Sequence, residues 1–220
     1  MSKEKMNKEN DIICRSFGTD YRALTGENNE HRITGHAAVF DQAADIDGWF
    51  YEVIDRRAFE KCSFKDVVFC INHDTKKIPL ARSRNNNGNN TMQLSIDDKG
   101  LAVDALLDTE RNADALALYS AVERGDMGGM SFIFRVSDYS WENLDTDMPT
   151  KRITGISEVF EVTAATWPYY TGTDVDARAR GSLESDLASL ESERRKAQSP
   201  EGDKATAERA IFEVRAKLGI

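Results

Sequence analysis

Residues 124–136 read Arg124-Gly125-Asp126-Met127-Gly128-Gly129-Met130-Ser131-Phe132-Ile133-Phe134-Arg135-Val136. A glycine pair runs into a strand whose first residue is a serine. Phe132, Phe134 and Val136 recur with the two-residue period of a strand and predict one buried face. Ser131, Ile133 and Arg135 then point to the opposite face, so the hydroxyl projects away from that packing. Serine is a poor strand former, and glycines beside it let another backbone come close. A nucleophile approached by a peptide needs that arrangement. A small residue merely tolerated in a strand also fits the pattern.

The strand texture continues on both sides, from about residue 32 to about residue 173. Residues 32–40 read as one strand and 49–54 as a second. The short apolar run 67–71, rich in β-branched and aromatic residues, reads as a buried third strand ending at Asn72-His73-Asp74. The asparagine-rich segment 85–90 is a turn, because Asn and Gly tolerate positive φ. Residues 78–83 and 91–96 flanking it predict a hairpin. Asp97-Asp98-Lys99-Gly100 turns the chain into a strand over 101–107. Ala115, Leu118, Tyr119 and Val122 then fall at helical spacing, predicting an amphipathic helix over 112–124. Strands return at 131–136 and 159–166 around a polar loop at 138–150.

The two ends differ from this middle. Residues 1–30 are polar and predict a flexible leader with a short strand near Ile12 and Ile13. From about residue 176 the chain is helical, with narrow apolar stripes at Leu183, Leu187 and Leu190 and at Ile211, Val214 and Leu218. Such stripes suit packing on a partner, on another copy in a homo-oligomer, or against the chain's own body. The expected organisation is a leader (1–30), a β-rich α+β domain (31–176) and a charged helical tail (177–220).

Composition narrows the function. The chain has 220 residues and a formal net charge of −9, with 38 acidic against 29 basic side chains. That balance argues against nucleic acid as a partner, which needs a basic footprint. No window approaches the roughly 18 apolar residues of a membrane span, and the first residues lack the apolar stretch of a signal peptide. A cytoplasmic location and no membrane partner are the expectation. Three cysteines and three histidines without ligand spacing predict neither a disulfide framework nor a metal site. Nucleotide-binding glycine motifs and the Gly-x-Ser-x-Gly elbow are also missing, so no cofactor is expected.

His73 stands where a buried strand meets solvent, a place from which an imidazole can exchange protons near neutral pH. A structural histidine reads the same way. Glu161 lies in an otherwise apolar run, Val159-Phe160-Glu161-Val162-Thr163-Ala164-Ala165. Burying a carboxylate is costly unless it is paired, so Glu161 needs either solvent or a partner such as an imidazole N–H.

These residues lie within motifs that, taken in order, resemble the phage prohead proteases of the HK97 family. Gly35-His36-Ala37-Ala38-Val39-Phe40, then Glu52-Val53-Ile54 and Ala58-Phe59, look like that family's opening. Asn72-His73-Asp74 resembles its histidine motif, and Asp97-Asp98-Lys99-Gly100-Leu101 its D-x-x-G-L turn. Arg124-Gly125 with Met130-Ser131-Phe132 resembles its serine motif, and Glu161 through Pro168 its E-V-S-x-V-T-x-P segment. Arg57, Ala81, Thr163 and Tyr169 depart from the usual residues. The family is similar in fold to herpesvirus assemblin proteases, which implies a closed β-barrel with surrounding helices and a C-terminal helical tail. The resemblance further implies Ser131 as nucleophile, His73 as general base then acid, and Glu161 as the group orienting the imidazole. Glu158, Asp74 and Asp174 remain alternatives for that third position. The implied activity is a serine endopeptidase inside the assembling prohead, in the host cytoplasm. Its partners would be the major capsid protein or a scaffold protein, and it would also digest itself. The rival reading is a non-catalytic assembly module that acts through its helical tail.

Overall fold

The computed structural model describes residues 12–17, 20–166 and 176–198. In chain order the strands are β1 (Ile12–Phe17), β2 (Arg22–Thr25), β3 (His31–Val39), β4 (Ala44–Ile46), β5 (Phe50–Ile54), β6 (Asp66–Ile71), β7 (Ala81–Arg84), β8 (Met92–Ile96) and β9 (Gly100–Leu107). Helix α1 (Ala113–Glu123) follows, then the long strands β10 (Gly129–Glu142) and β11 (Thr150–Ala165), and helix α2 (Asp176–Ala197). The Asn112 side chain accepts the backbone N–H groups of Asp114 and Ala115, which caps α1.

The strands form two sheets, one ordered β1-β10-β11-β5-β4 with β6 and β7 branching from β11, the other ordered β2-β3-β9-β8. Strand β11 organises the first. Its whole length pairs antiparallel with β10, while its other edge takes β5 along Thr150–Ile153 and β6 along Glu161–Ala164, both parallel. As the alternation predicts, Phe132, Phe134 and Val136 face a core that also holds Val159 and Val162 of β11 and Ile33, Leu101 and Val103 of the second sheet. The Phe132 and Phe134 rings stack at 4.3 Å. Strand β10 runs on to Glu142, into the segment expected as a polar loop, and β11 begins at that segment's end, Thr150. Gly100 permits the close packing of β9 on β3, since a Cβ there would lie 1.9 Å from the Ala38 carbonyl oxygen.

The expected closed barrel of the herpesvirus-protease type is not found, and neither is the expected hairpin. No sheet closes on itself among the described residues. Strand β7 pairs with β6, and β8 pairs with β9. At the seam between β7 and β8, side chains stand where a ladder would need backbone. Asn86 Nδ2 donates to the Leu94 carbonyl at 2.6 Å and Asn86 Oδ1 accepts the Leu94 N–H at 3.0 Å. Thr91 Oγ1 likewise accepts the Arg82 N–H at 2.9 Å. Closure requires a continuous staggered backbone ladder, which these substitutions interrupt.

The first sheet is nonetheless strongly bent. Arg15 of edge strand β1 forms an ion pair with Glu52 of β5, three strands away in the sheet order. Three flat spacings of about 4.8 Å would exceed a side chain's reach, so β10 and β11 must curl between them. Irregular registers at Ile133/Phe134 and again between Arg135 and Tyr139 allow that bend. Helix α2 lies against the same sheet through a mainly polar face, with Ser182, Asp186, Ser189 and Leu190 buried. Asp186 pairs with Lys151, and Ser189 Oγ contacts Tyr139 Oη at 2.8 Å and Trp141 Nε1 at 3.1 Å. The second tail stripe, at residues 211–218, lies outside the described residues. Among the described residues no helix is long and apolar enough to cross a membrane.

Candidate active site

Three neighbouring strands bring the site together on one face. Ser131 pairs with Thr163 and Ile133 with Glu161 across β10 and β11. Residues two apart share a face, so Ser131, Glu161 and Thr163 project to the same side. On the other edge of β11, Cys70 pairs with Thr163, and the chain then turns inward just beyond β6. In that turn the Ile71 carbonyl accepts the Asp74 N–H at 3.0 Å, and Asn72 and His73 have φ of 49° and 59°. Positive φ at both central residues is the pattern of a type I′ turn, which asparagine adopts readily and histidine less so. Two bonds compensate the strain. Asn72 Oδ1 accepts the Thr166 N–H at 2.9 Å, and the His73 N–H donates to Thr163 Oγ1 at 3.0 Å.

The turn delivers the imidazole between the serine and the glutamate. His73 Nε2 lies 2.9 Å from Ser131 Oγ, and His73 Nδ1 lies 2.8 Å from Glu161 Oε2. The second oxygen of Glu161 accepts the Cys70 thiol at 2.8 Å. Two donors therefore satisfy a carboxylate that is 1% exposed. Burial and the neighbouring Glu161 push the Cys70 thiol up, which keeps it a donor. Cys14 of β1 completes the surroundings, its Sγ 3.2 Å from His73 Nε2 and 3.4 Å from Ser131 Oγ. Burial alone would depress the imidazole, but its bonds to Cys14 and Glu161 and the Glu161 charge outweigh that and raise it to about 10.

Of the candidates for the third position that lie among the described residues, only Glu161 reaches the ring. Glu158 pairs with Arg135, whose Nη1 is 2.9 Å away, and Asp74 accepts the Lys76 N–H at 3.3 Å within its own turn. Asp174 lies outside the described residues. The other histidines serve elsewhere: His31 stacks on Tyr119 at 4.3 Å and His36 pairs with Asp97 at 2.9 Å. No group of side chains suited to hold a metal occurs among the described residues.

Sequence reasoning missed Thr163, Cys70 and Cys14 as parts of the site. The first departs from the resembling motif yet keeps the hydroxyl that anchors His73. Its period-two spacing from Glu161 was the available signal. Cys70 was visible only as a thiol in an apolar strand. Cys14 carried no local signal, being 117 positions from Ser131.

A serine hydroxyl, an imidazole and a buried carboxylate in hydrogen-bonded series on a curled β-sheet belong to the serine-hydrolase class of site. The chain belongs to the caudovirus prohead serine protease family, which matches residues 18–186. It is therefore a serine protease of phage capsid maturation. No curated protein and no solved structure matches it.

Proposed function

We propose that Ser131 is the nucleophile of an acyl-enzyme endopeptidase, with His73 as proton shuttle and Glu161 as the orienting carboxylate. The observation that carries this reading is the unbroken series from Ser131 Oγ through both His73 ring nitrogens to Glu161, at 2.9 and 2.8 Å. Nε2 takes the hydroxyl proton as Oγ bonds to the scissile carbonyl carbon. The same proton passes to the departing amine as the C–N bond breaks. Water then gives a proton to Nε2 as its oxygen bonds to the acyl carbon, and that proton returns to Ser131 Oγ as the ester C–O bond breaks. Glu161 holds Nδ1–H, so that Nε2 is the nitrogen free to accept, and it stabilises the imidazolium that forms.

The substrates are the scaffold-like N-terminal region of the major capsid protein or a separate scaffold protein, and the protease itself, inside the assembling prohead. Confinement there supplies the local concentration at which slow cleavage suffices. Co-expression with the cognate capsid protein tests the reading. The capsid band shortens with the wild type and stays full length with Ser131→Ala. Cleavage that persists in Ser131→Ala overturns the assignment and leaves the non-catalytic assembly role.

A further inference from the structure

Ser131 is fully buried, which is incompatible with a peptide reaching it in this state. What covers it is β1. This strand pairs antiparallel with β10 in a register that sets Ser16 opposite Ser131, Arg15 opposite Phe132 and Cys14 opposite Ile133. Ser131 Oγ donates to the Arg15 carbonyl oxygen at 2.8 Å, so the carbonyl held against the serine is that of the Arg15–Ser16 peptide bond. Strand β10 has two edges, and β11 occupies the other. An extended peptide that adds to the serine-bearing strand must use the edge that β1 holds. Strand β1 also precedes the residues matched by the family.

The Arg15 side chain is seated in a built site. Its guanidinium grips the Glu52 carboxylate through two bonds, one of them Nη2 to Oε2 at 2.9 Å. Beside them Lys151 pairs with Asp186 and lies 3.9 Å from Glu52. The side chains of Glu52, Asp186 and Lys151 are 2%, 1% and 0% exposed. With Arg15 present the cluster holds two cations and two carboxylates. Without it, two buried carboxylates share one lysine, and Asp186 Oδ2 already lacks a hydrogen-bond donor. A buried carboxylate that loses its partner is strongly unfavourable, so the vacated site demands another cation. Bidentate geometry favours a guanidinium.

We infer that β1 is a substrate-like occupant of the peptide track along β10, and that Glu52, backed by Asp186 and Lys151, selects an arginine in the peptide that replaces it. The inference rests on Ser131 being the nucleophile. The register assigns the selected arginine to the residue whose carbonyl faces Ser131. With β1 in place the site is at rest. The serine's single proton goes to the Arg15 carbonyl, and the Ser131–His73 bond is donated by the ring. That agrees with the raised His73, protonated at neutral pH and capped by Cys14. Departure of β1 removes the Cys14 contact and frees the serine proton for Nε2.

The test uses the full chain, a fluorophosphonate probe that labels reactive serines, and amide hydrogen exchange of residues 12–17. Arg15→Glu sets a third carboxylate against Glu52, whereas Arg15→Lys keeps the charge. Arg15→Glu is expected to label roughly tenfold faster or more than wild type, with faster exchange in residues 12–17 and in the β10 amides that pair with them, and an unchanged exchange pattern in β11. Arg15→Lys keeps the charge but loses the two-bond fork, and falls between wild type and Arg15→Glu in both readouts. A hexapeptide of the sequence Ile-Ile-Cys-Arg-Ser-Phe slows the labelling of the Arg15→Glu chain, and the same peptide with glutamate for arginine does not. Equal labelling and equal exchange in wild type and Arg15→Glu overturn the inference, as does protection by both peptides alike. If no chain labels at Ser131, the nucleophile reading fails, whereas exchange in residues 12–17 still reports on whether Arg15 holds the strand.

Discussion

Glutamine in place of Glu161 challenges the relay at its buried carboxylate. The carboxylate accepts from His73 Nδ1 and from the Cys70 thiol, each at 2.8 Å. A glutamine of the same shape offers one acceptor oxygen and one NH₂ group, so one of those two partners meets a donor. If the NH₂ faces the ring, Nδ1 must accept, the ring proton sits on Nε2, and the ring no longer takes a proton from Ser131. If it faces Cys70, a buried thiol loses its acceptor while the imidazolium loses its counter-charge. Raising the imidazole from 6.5 to about 10 represents on the order of 5 kcal/mol of preference for the protonated ring. Glu161 shares that preference with Cys14, against the opposing effect of burial.

Three readouts follow for Glu161→Gln. The kcat/KM on the capsid substrate falls by about four orders of magnitude, on the order of 5 kcal/mol of transition-state stabilisation. The His73 ring, followed by NMR, titrates well below its wild-type midpoint. The stability profile also changes. A folded-state value raised above the unfolded one gives stability that is complete below about 6.5 and lost as pH climbs through about 10. Wild type should therefore lose stability across that window relative to Glu161→Gln in denaturant titrations at several pH values. Activity within about tenfold of wild type, together with an unmoved His73 titration, refutes the orienting role of Glu161.

Two other substitutions probe the supports of the site. Thr163→Val removes the buried acceptor of the His73 N–H and should cost about 1–3 kcal/mol in denaturant melts, with kcat reduced more than KM is raised, whereas Thr163→Ser preserves both. Lys151→Met leaves Glu52 and Asp186 buried with Arg15 as their remaining cation; thermal melts should report a loss of about 3–5 kcal/mol, and adding Asp186→Leu should recover much of it.

Local periodicity was enough to read much of the secondary structure and the face that Ser131 occupies. Strands β5, β6 and β9 and helix α1 lie close to where alternation and helical spacing put them. Phe132 and Phe134 are in the core for the same reason. Both properties depend on residues within a few positions of one another, where side-chain direction follows from backbone geometry. The pairing of β7 was not legible. Its Asn-rich neighbour looks like a hairpin turn, yet β7 gains more by pairing with buried β6, while Asn86 and Thr91 satisfy the β8 side through side chains. Sheet closure failed as an expectation on the same account, since it is a property of long-range hydrogen bonding and not of any segment.

The site divides in a similar way. Ser131, His73 and Glu161 were recognisable because each sits in a local motif with an unusual residue for its place. The sequence leaves four candidate carboxylates open, and among the described residues it is the cross-strand register of Ile133 with Glu161 and the left-handed turn at Asn72-His73 that bring Glu161 to the ring. Cys14 and Arg15 belong to a polar N-terminal stretch that predicts little. Their contacts with Ser131 and Glu52 span 117 and 37 positions and exist because the sheet bends until its edge strand meets β5. Charge and burial at those distances are set by how strands stack and curl, a cooperative outcome that no window of sequence contains.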